Sequence, residues 1–180
     1  MENYLEKTKI WVERFVIGLN LCPFAKKPFS QGKIRFILEE TTDLEQLAAT
    51  FVKECLFLHR TKTESVETTL LVHPYILTNF YDYLDFISVA EALLEQLELE
   101  GVIQVASFHP DYQFEGTTSD APENYTNRSP YPMLHLIRED SIANALAHWE
   151  NPEEIPQINI EKMNELGVEG IKKVLESKSQ

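Results

Sequence analysis

The stretch "GVIQVASFHPDYQFEGTTSDAPENYTNRSPYPMLHLIRE" (residues 101–139) decides how this chain is organised. Its first ten residues are mostly apolar and end at Pro110. They read as a β-strand, because a proline offers no N–H to continue a ladder. "MLHLIRE" (133–139) is short, apolar and preceded by Pro130 and Pro132, which favours a second strand over a helix. Between them, Asp111–Pro132 shows no helical or strand period. A loop that long inside a compact domain is usually functional or disordered. This one is rich in Tyr, Asn and Pro rather than Ser, Glu and Lys, a composition that favours an ordered loop.

Upstream, helix and strand patterns alternate. Residues 3–19 carry Tyr4, Thr8, Trp11, Phe15 and Leu19 at helical spacing, weakened at the end by Gly18 and Asn20. "GKIRFILEE" (32–40) predicts a strand, and Thr42 or Asp43 then caps a helix running to about His59. Its apolar face, Leu44, Leu47, Ala48, Phe51, Cys55 and Leu58, makes Cys55 a core residue. "TTLLVHP" (68–74) predicts a second strand, and Thr78 a cap for a helix over 79–99, with a break near Ser88 and a stop at Gly101. Downstream, Asp140 or Ser141 is expected to cap a helix to Trp149, Asn159 a short helix to Gly167, and a last helix covers 169–177. The implied fold is α/β: one domain over 1–180, with a mixed sheet of about four strands flanked by helices. It has a parallel βαβαβ core and a fourth strand antiparallel beside the third.

The charge balance limits the partners. Sixteen Lys plus Arg against 29 Asp plus Glu give a net charge of −13. So acidic a surface repels nucleic acid and anionic lipid. No apolar run approaches the ~18 residues of a membrane span, and the N-terminus lacks the order of a signal peptide. Two cysteines, Cys22 and Cys55, are too few for a disulfide framework, and the expected location is cytoplasmic.

The acids are unevenly placed. None falls within 14–38, 68–81, 101–110 or 124–138. Buried strands lack acids for ordinary reasons, but 14–38 and 124–138 include loops. If those tracts converge, they form a locally positive pocket on an acidic protein.

Ligands of open α/β sheets bind at the carboxyl ends of the parallel strands. His73 and His109 end the second and third strands, and His135 lies near the start of the fourth. On this reading His109 is the general acid or base, with Asp111 or His73 to orient it. Cys22, before Pro23 and near Lys26 and Lys27, is a candidate nucleophile or ligand. Arg128 is the candidate anion clamp, with Ser129, Asn124, Asn127, Asn20, His135 and Tyr112 as further ligand-binding candidates. The alternative is a loop whose Asn and Ser side chains close their own turns. His73, His109, His135 and Cys22 could hold a divalent metal, although no zinc signature spaces them. His59 and His148 are read as structural or surface residues. No Walker, GxGxxG or GxSxG motif occurs.

"WVERFVIGLNLCPFA" (11–25), "TTLLVHP" (68–74), "GVIQVASFHPDYQFEG" (101–116), "NYTNRSPYPMLHLIRE" (124–139) and "IPQIN" (155–159) resemble the family catalogued as domain of unknown function 1415. The resemblance spans nearly the whole chain but implies no reaction. Three readings remain: an enzyme or binder for a small anionic metabolite, a non-catalytic scaffold or interaction module, and a metal-binding hydrolase-like protein.

Overall fold

One four-stranded sheet organises the protein: β1 (Ile34–Leu38), β2 (Thr68–Val72), β3 (Ile103–Phe108) and β4 (Met133–Arg138), in the order β1-β2-β4-β3. The computed structural model describes residues 3–147 and 151–176. β1 and β2 pair in parallel, while β4 is antiparallel to both β2 and β3. The sheet is therefore mixed, and β4 lies beside β3 as its sequence implied. It also fills the slot between β3 and β2, so among the described residues the only parallel pair is β1–β2.

Strand alternation sorts side chains onto two faces. Leu71, Leu134 and Leu136 face one way, against α3 (Leu44–Arg60) and α4 (Phe80–Gln96), which contribute Leu47, Phe51, Leu58, Phe86 and Leu94. Leu70, Val72 and Met133 face the other way, against Trp11 and Phe15 of the N-terminal helix and Met163 and Ile171 of α6 (Ile155–Glu176). β2 is buried at all five positions because helices cover it on both faces.

Local chemistry sets the helix ends. Asp43 caps α3 by accepting the Gln46 N–H at 2.9 Å. For α4 the cap is Asn79, which accepts from Tyr81 and Asp82; it is not Thr78, and the helix runs unbroken through Ser88. Neither Asp140 nor Ser141 caps α5 (Glu139–Leu146), which leaves β4 directly through an extended Arg138. The expected end of α5 at Trp149, and His148 with it, lie outside the described residues. Asn159 is inside α6, and that helix breaks at Gly167, whose φ of 59° suits glycine.

The first helix changes pitch. α1 (Tyr4–Trp11) continues as a π-helical segment over Val12–Ile17, with the Gly18 N–H on the Glu13 carbonyl. A Cβ at Gly18 would stand 2.0 Å from the Arg14 oxygen, so only glycine fits the tight exit. From α6, Asn159 Nδ2 donates to the Leu21 carbonyl (2.7 Å) and Lys162 Nζ to that of Leu19 (2.6 Å). A short α2 (Lys26–Ser30) follows. At the sheet's far end, Arg138 donates to the carbonyls of Leu58, Thr61 and Val66. A cation there satisfies the open C-terminus of α3 and complements its dipole.

Candidate functional site

The long loop is ordered by its own side chains. Asn124 is fully buried in a 3-10 turn over Pro122–Thr126. Its Oδ1 accepts the Phe114 N–H (2.9 Å) and faces the Thr117 hydroxyl (2.9 Å), while Nδ2 donates to the Thr118 carbonyl (2.8 Å). Asn127 Nδ2 donates to Ser107 O at 3.1 Å, and its own carbonyl accepts the His109 N–H. Ser129 Oγ donates to Tyr131 O. Each of these groups, offered by the sequence as a ligand donor, is engaged in holding the loop against the end of β3. Asn20 has a φ of 52° and closes the turn after the first helix.

The histidines separate into two groups. His73 and His109 are both fully buried beside Tyr83, with ring centroids 6.1 Å and 5.1 Å from it. His135 does not join them. It lies on the opposite face of the sheet, two residues into β4, because its strand position alternates with those facing α4. The Thr68 hydroxyl spends its proton on Leu136 O (2.6 Å), so His135 Nε2–H donates to Thr68 Oγ1 (2.7 Å).

His109 Nε2–H donates to Leu77 O (3.1 Å), and Nδ1 accepts the Asp111 N–H (3.0 Å). These bonds fix a neutral tautomer and use both nitrogens. Asp111 thus touches His109 through its backbone, and its carboxylate is exposed. His73 Nδ1–H donates to Ile76 O (3.1 Å), while Nε2 has no partner among the described residues. Burial lowers the pKa of His109, and lowers those of His73 and His135 to about 4. A general base poised near neutrality would need the opposite environment. Cys22 is likewise not activated: burial raises its pKa, against smaller lowering by hydrogen bonds from the Phe24 and Ala25 backbone.

A pH dependence follows. The folded-state pKa of His73 is depressed, so the unfolded chain binds the proton first as pH falls below about 6.5. The stabilisation is full above that pH and is lost progressively toward pH 4, by up to about 1.4 kcal/mol per pH unit. Urea titrations at stepped pH are expected to show a shallower slope in a His73→Gln variant. Equal slopes would refute the assignment.

A cleft of about 590 Å³ opens elsewhere, lined by none of the three histidines. One wall is the N-terminal helix, with Lys7, Trp11 and Arg14; the other is the loop, with Asp111, Tyr125, Arg128 and Ser129. Arg128 Nε donates to Tyr112 O (3.0 Å) and Nη2 to Ser119 O (2.6 Å), with the guanidinium carbon 4.8 Å from the Tyr125 ring centre. Those bonds hold a cation at the cleft. Tyr112 itself packs on Phe80 and Phe114. Of the sequence candidates, the cleft gathers Arg128, Ser129 and Asp111 and leaves out the histidines and Cys22.

Lys7, Trp11 and Arg14 were absent from the sequence candidates because Trp11 and Phe15 marked that helix as core. On an α-helix their spacing of four and three would align both cations with the indole, but from Val12 the helix takes π pitch. A second concavity, of about 500 Å³, lies along α3, but its Arg35 is paired with the buried Glu54 at 2.7 Å. Among the described residues no group of three or more His, Cys, Asp or Glu is placed to hold a metal ion, so the four metal candidates do not converge.

The family described as "Protein of unknown function (DUF1415)" matches residues 3–173. The chain belongs to this family. No curated protein and no solved structure matches it. As a member of that family, the chain contains within the matched span both walls of the cleft up to Lys7 and Arg128, and the Asn159 and Lys162 contacts that brace the first helix. Among the described residues, no helix is long and apolar enough to cross a membrane.

Proposed function

We propose that this protein binds a small anionic metabolite in the cleft between its N-terminal helix and the loop after β3. The observation that carries the reading is the charge of the lining. Among the described residues, the lining holds three basic side chains, Lys7, Arg14 and Arg128, and one carboxylate, Asp111, on a chain of net charge −13. A local excess of positive charge on an acidic protein concentrates anions at one place. Binding, rather than catalysis, is what the side chains favour. His73 and His109 bond to backbone, and neither lines the cleft.

The test is thermal denaturation with a panel of phosphorylated and carboxylated metabolites. A ligand present at 100 times its Kd adds about 2.7 kcal/mol, or roughly 5–11 °C in a chain of this size. Arg14→Gln is expected to abolish that shift, measured against the variant's own unliganded Tm. If no anion stabilises the native protein more than the Arg14→Gln variant, the proposal fails. A non-catalytic scaffold then becomes the better reading, favoured by the way Asn124, Asn127 and Ser129 are consumed within the loop.

A further inference from the structure

We infer that a second copy of this chain pairs with the outer edge of β1, antiparallel and across a two-fold axis at Phe36, so that two four-stranded sheets join into one. The joint lies apart from the cleft, which none of residues 33–39 lines.

β1 ends the sheet, with β2 on one side and no described strand on the other. Lys33 O accepts the Glu67 N–H (2.9 Å), and the Glu39 N–H donates to Val72 O (2.8 Å), so both residues turn their backbone toward β2. Backbone groups alternate along a strand. Arg35 and Ile37 therefore turn the same way, and Ile34, Phe36 and Leu38 turn outward. Among the described residues, no hydrogen bond from a loop or side chain reaches those outward groups. Helices lie against the strand's two faces: the Arg35 guanidinium carbon is 4.3 Å from the Phe57 ring centre, and Lys9 Nζ is 5.7 Å from that of Phe36. The opposite edge strand, β3, is held at its end by Asn127 Nδ2 on Ser107 O. A row of unpaired N–H and C=O groups is a template for another strand.

The alternation selects the register. Antiparallel strands exchange two hydrogen bonds only where outward residues of both face each other. One register engages all three: Ile34 opposite Leu38 of the second copy, Phe36 opposite Phe36, and Leu38 opposite Ile34. It is self-complementary, as a two-fold interface must be. The three side chains share one face, where each packs on the Trp11–Phe15 cluster and stays partly exposed. Across the joint that apolar layer continues into its copy.

Charge selects the same register independently. It sets Lys33 opposite Glu39 of the second copy at both ends of the ladder. The Glu39 carboxylate accepts from the Thr41 N–H and the Thr50 hydroxyl, both neutral, so its charge is left uncompensated by them. The polarity extends beyond the strand. Lys26, Lys27, Lys33 and Arg35 lie in a tract without acids (14–38), whereas Glu39, Glu40, Asp43 and Glu45 lie in a tract without Lys or Arg (36–52). Antiparallel pairing sets the basic half against the acidic half, and parallel pairing would set like on like. Arg35 stays with Glu54 of its own chain.

Sedimentation velocity of the full chain over about 1–200 µM is expected to show a monomer–dimer equilibrium. Lys33→Glu and Glu39→Lys are each expected to weaken the dimer at least about tenfold, since each sets like charges opposite at both ends. Mixed together, the two variants regain opposite charges at both ends and are expected to pair with each other at near-native affinity. Thermal melts establish that each variant is folded. Hydrogen exchange on the native chain needs no substitution. The amides of Ile34, Phe36 and Leu38 are expected to gain at least about tenfold protection as the dimer forms, while those of Arg35 and Ile37, turned toward β2, do not.

A chain that stays monomeric throughout would overturn the inference, as would a dimer in which those three amides exchange as they do in the monomer. A dimer indifferent to Lys33→Glu, or two folded variants that fail to pair when mixed, would overturn the register and with it the joint.

Discussion

Tyr83→Phe is expected to be among the most destabilising single-atom changes in this protein. The Tyr83 side chain is fully buried and rises from α4 to the end of the sheet, where β3 leaves and β4 enters. Its hydroxyl donates to the Met133 carbonyl (2.8 Å) and accepts the Phe108 N–H (2.9 Å). One oxygen therefore satisfies the backbone of both strands at their last register pair, Phe108 and Met133. Phenylalanine keeps the ring stacking on Phe80 and the contacts to both histidines but leaves a donor and an acceptor unmatched. Each unsatisfied buried group costs about 1–3 kcal/mol, so the expected loss is roughly 2–5 kcal/mol. For a chain of this length that is about 5–15 °C in Tm. Urea denaturation measures it, with Tyr81→Phe as the control, since Tyr81 is 73% exposed. A loss under about 1 kcal/mol would show that the hydroxyl does not close the sheet.

Asn124→Ala has the second largest expected effect, and a different signature. Asn124 links Phe114, Thr117 and Thr118 from the centre of the loop, so its removal frees one N–H and one carbonyl and leaves a gap. The expected cost is about 2–4 kcal/mol, concentrated in residues 109–132. Asn124→Asp keeps the acceptor for Phe114 but cannot donate to Thr118, so it should fall between the two. Trypsin gives a local readout, since Arg128 is held by two loop carbonyls. The alanine variant is expected to be cut after Arg128 well before the core opens. Cleavage no faster than in the native protein would mean that the loop's order comes from elsewhere.

Much of the fold was legible because it is written in periodicity. β2 and β4 are short apolar runs bounded by proline, and α3 carries its stripe from Leu47 to Leu58 at helical spacing. The antiparallel placement of β4 followed from the missing helix between it and β3. Its position between β2 and β3 did not follow, because nothing local distinguishes an inner strand from an outer one. The errors at caps have a common cause. Thr78 and Asn79 both suit an N-cap, and only the backbone of the preceding turn, with Leu77 at a φ of 57°, selects Asn79.

The candidate site was legible in part, for similar reasons. The tract free of acids over 124–138 holds Arg128 and Ser129, and both line a cleft. Residue type alone could not show that His109 spends both nitrogens on Leu77 and Asp111. That outcome depends on a turn 32 residues away in sequence. The opposite cleft wall was hidden because Trp11 serves the core and the cleft at once.

The strand order β1-β2-β4-β3 also bears on how the molecule is made. In a chain emerging from the ribosome, β2 and β3 exist before β4, yet they are not neighbours. Their facing edges must stand one strand-width apart, about 9.6 Å, with both sets of backbone groups open until residue 138 arrives. The central rung of the sheet is thus the last to be synthesised. Until then the nascent protein presents two unpaired inner edges, each a template for the wrong partner.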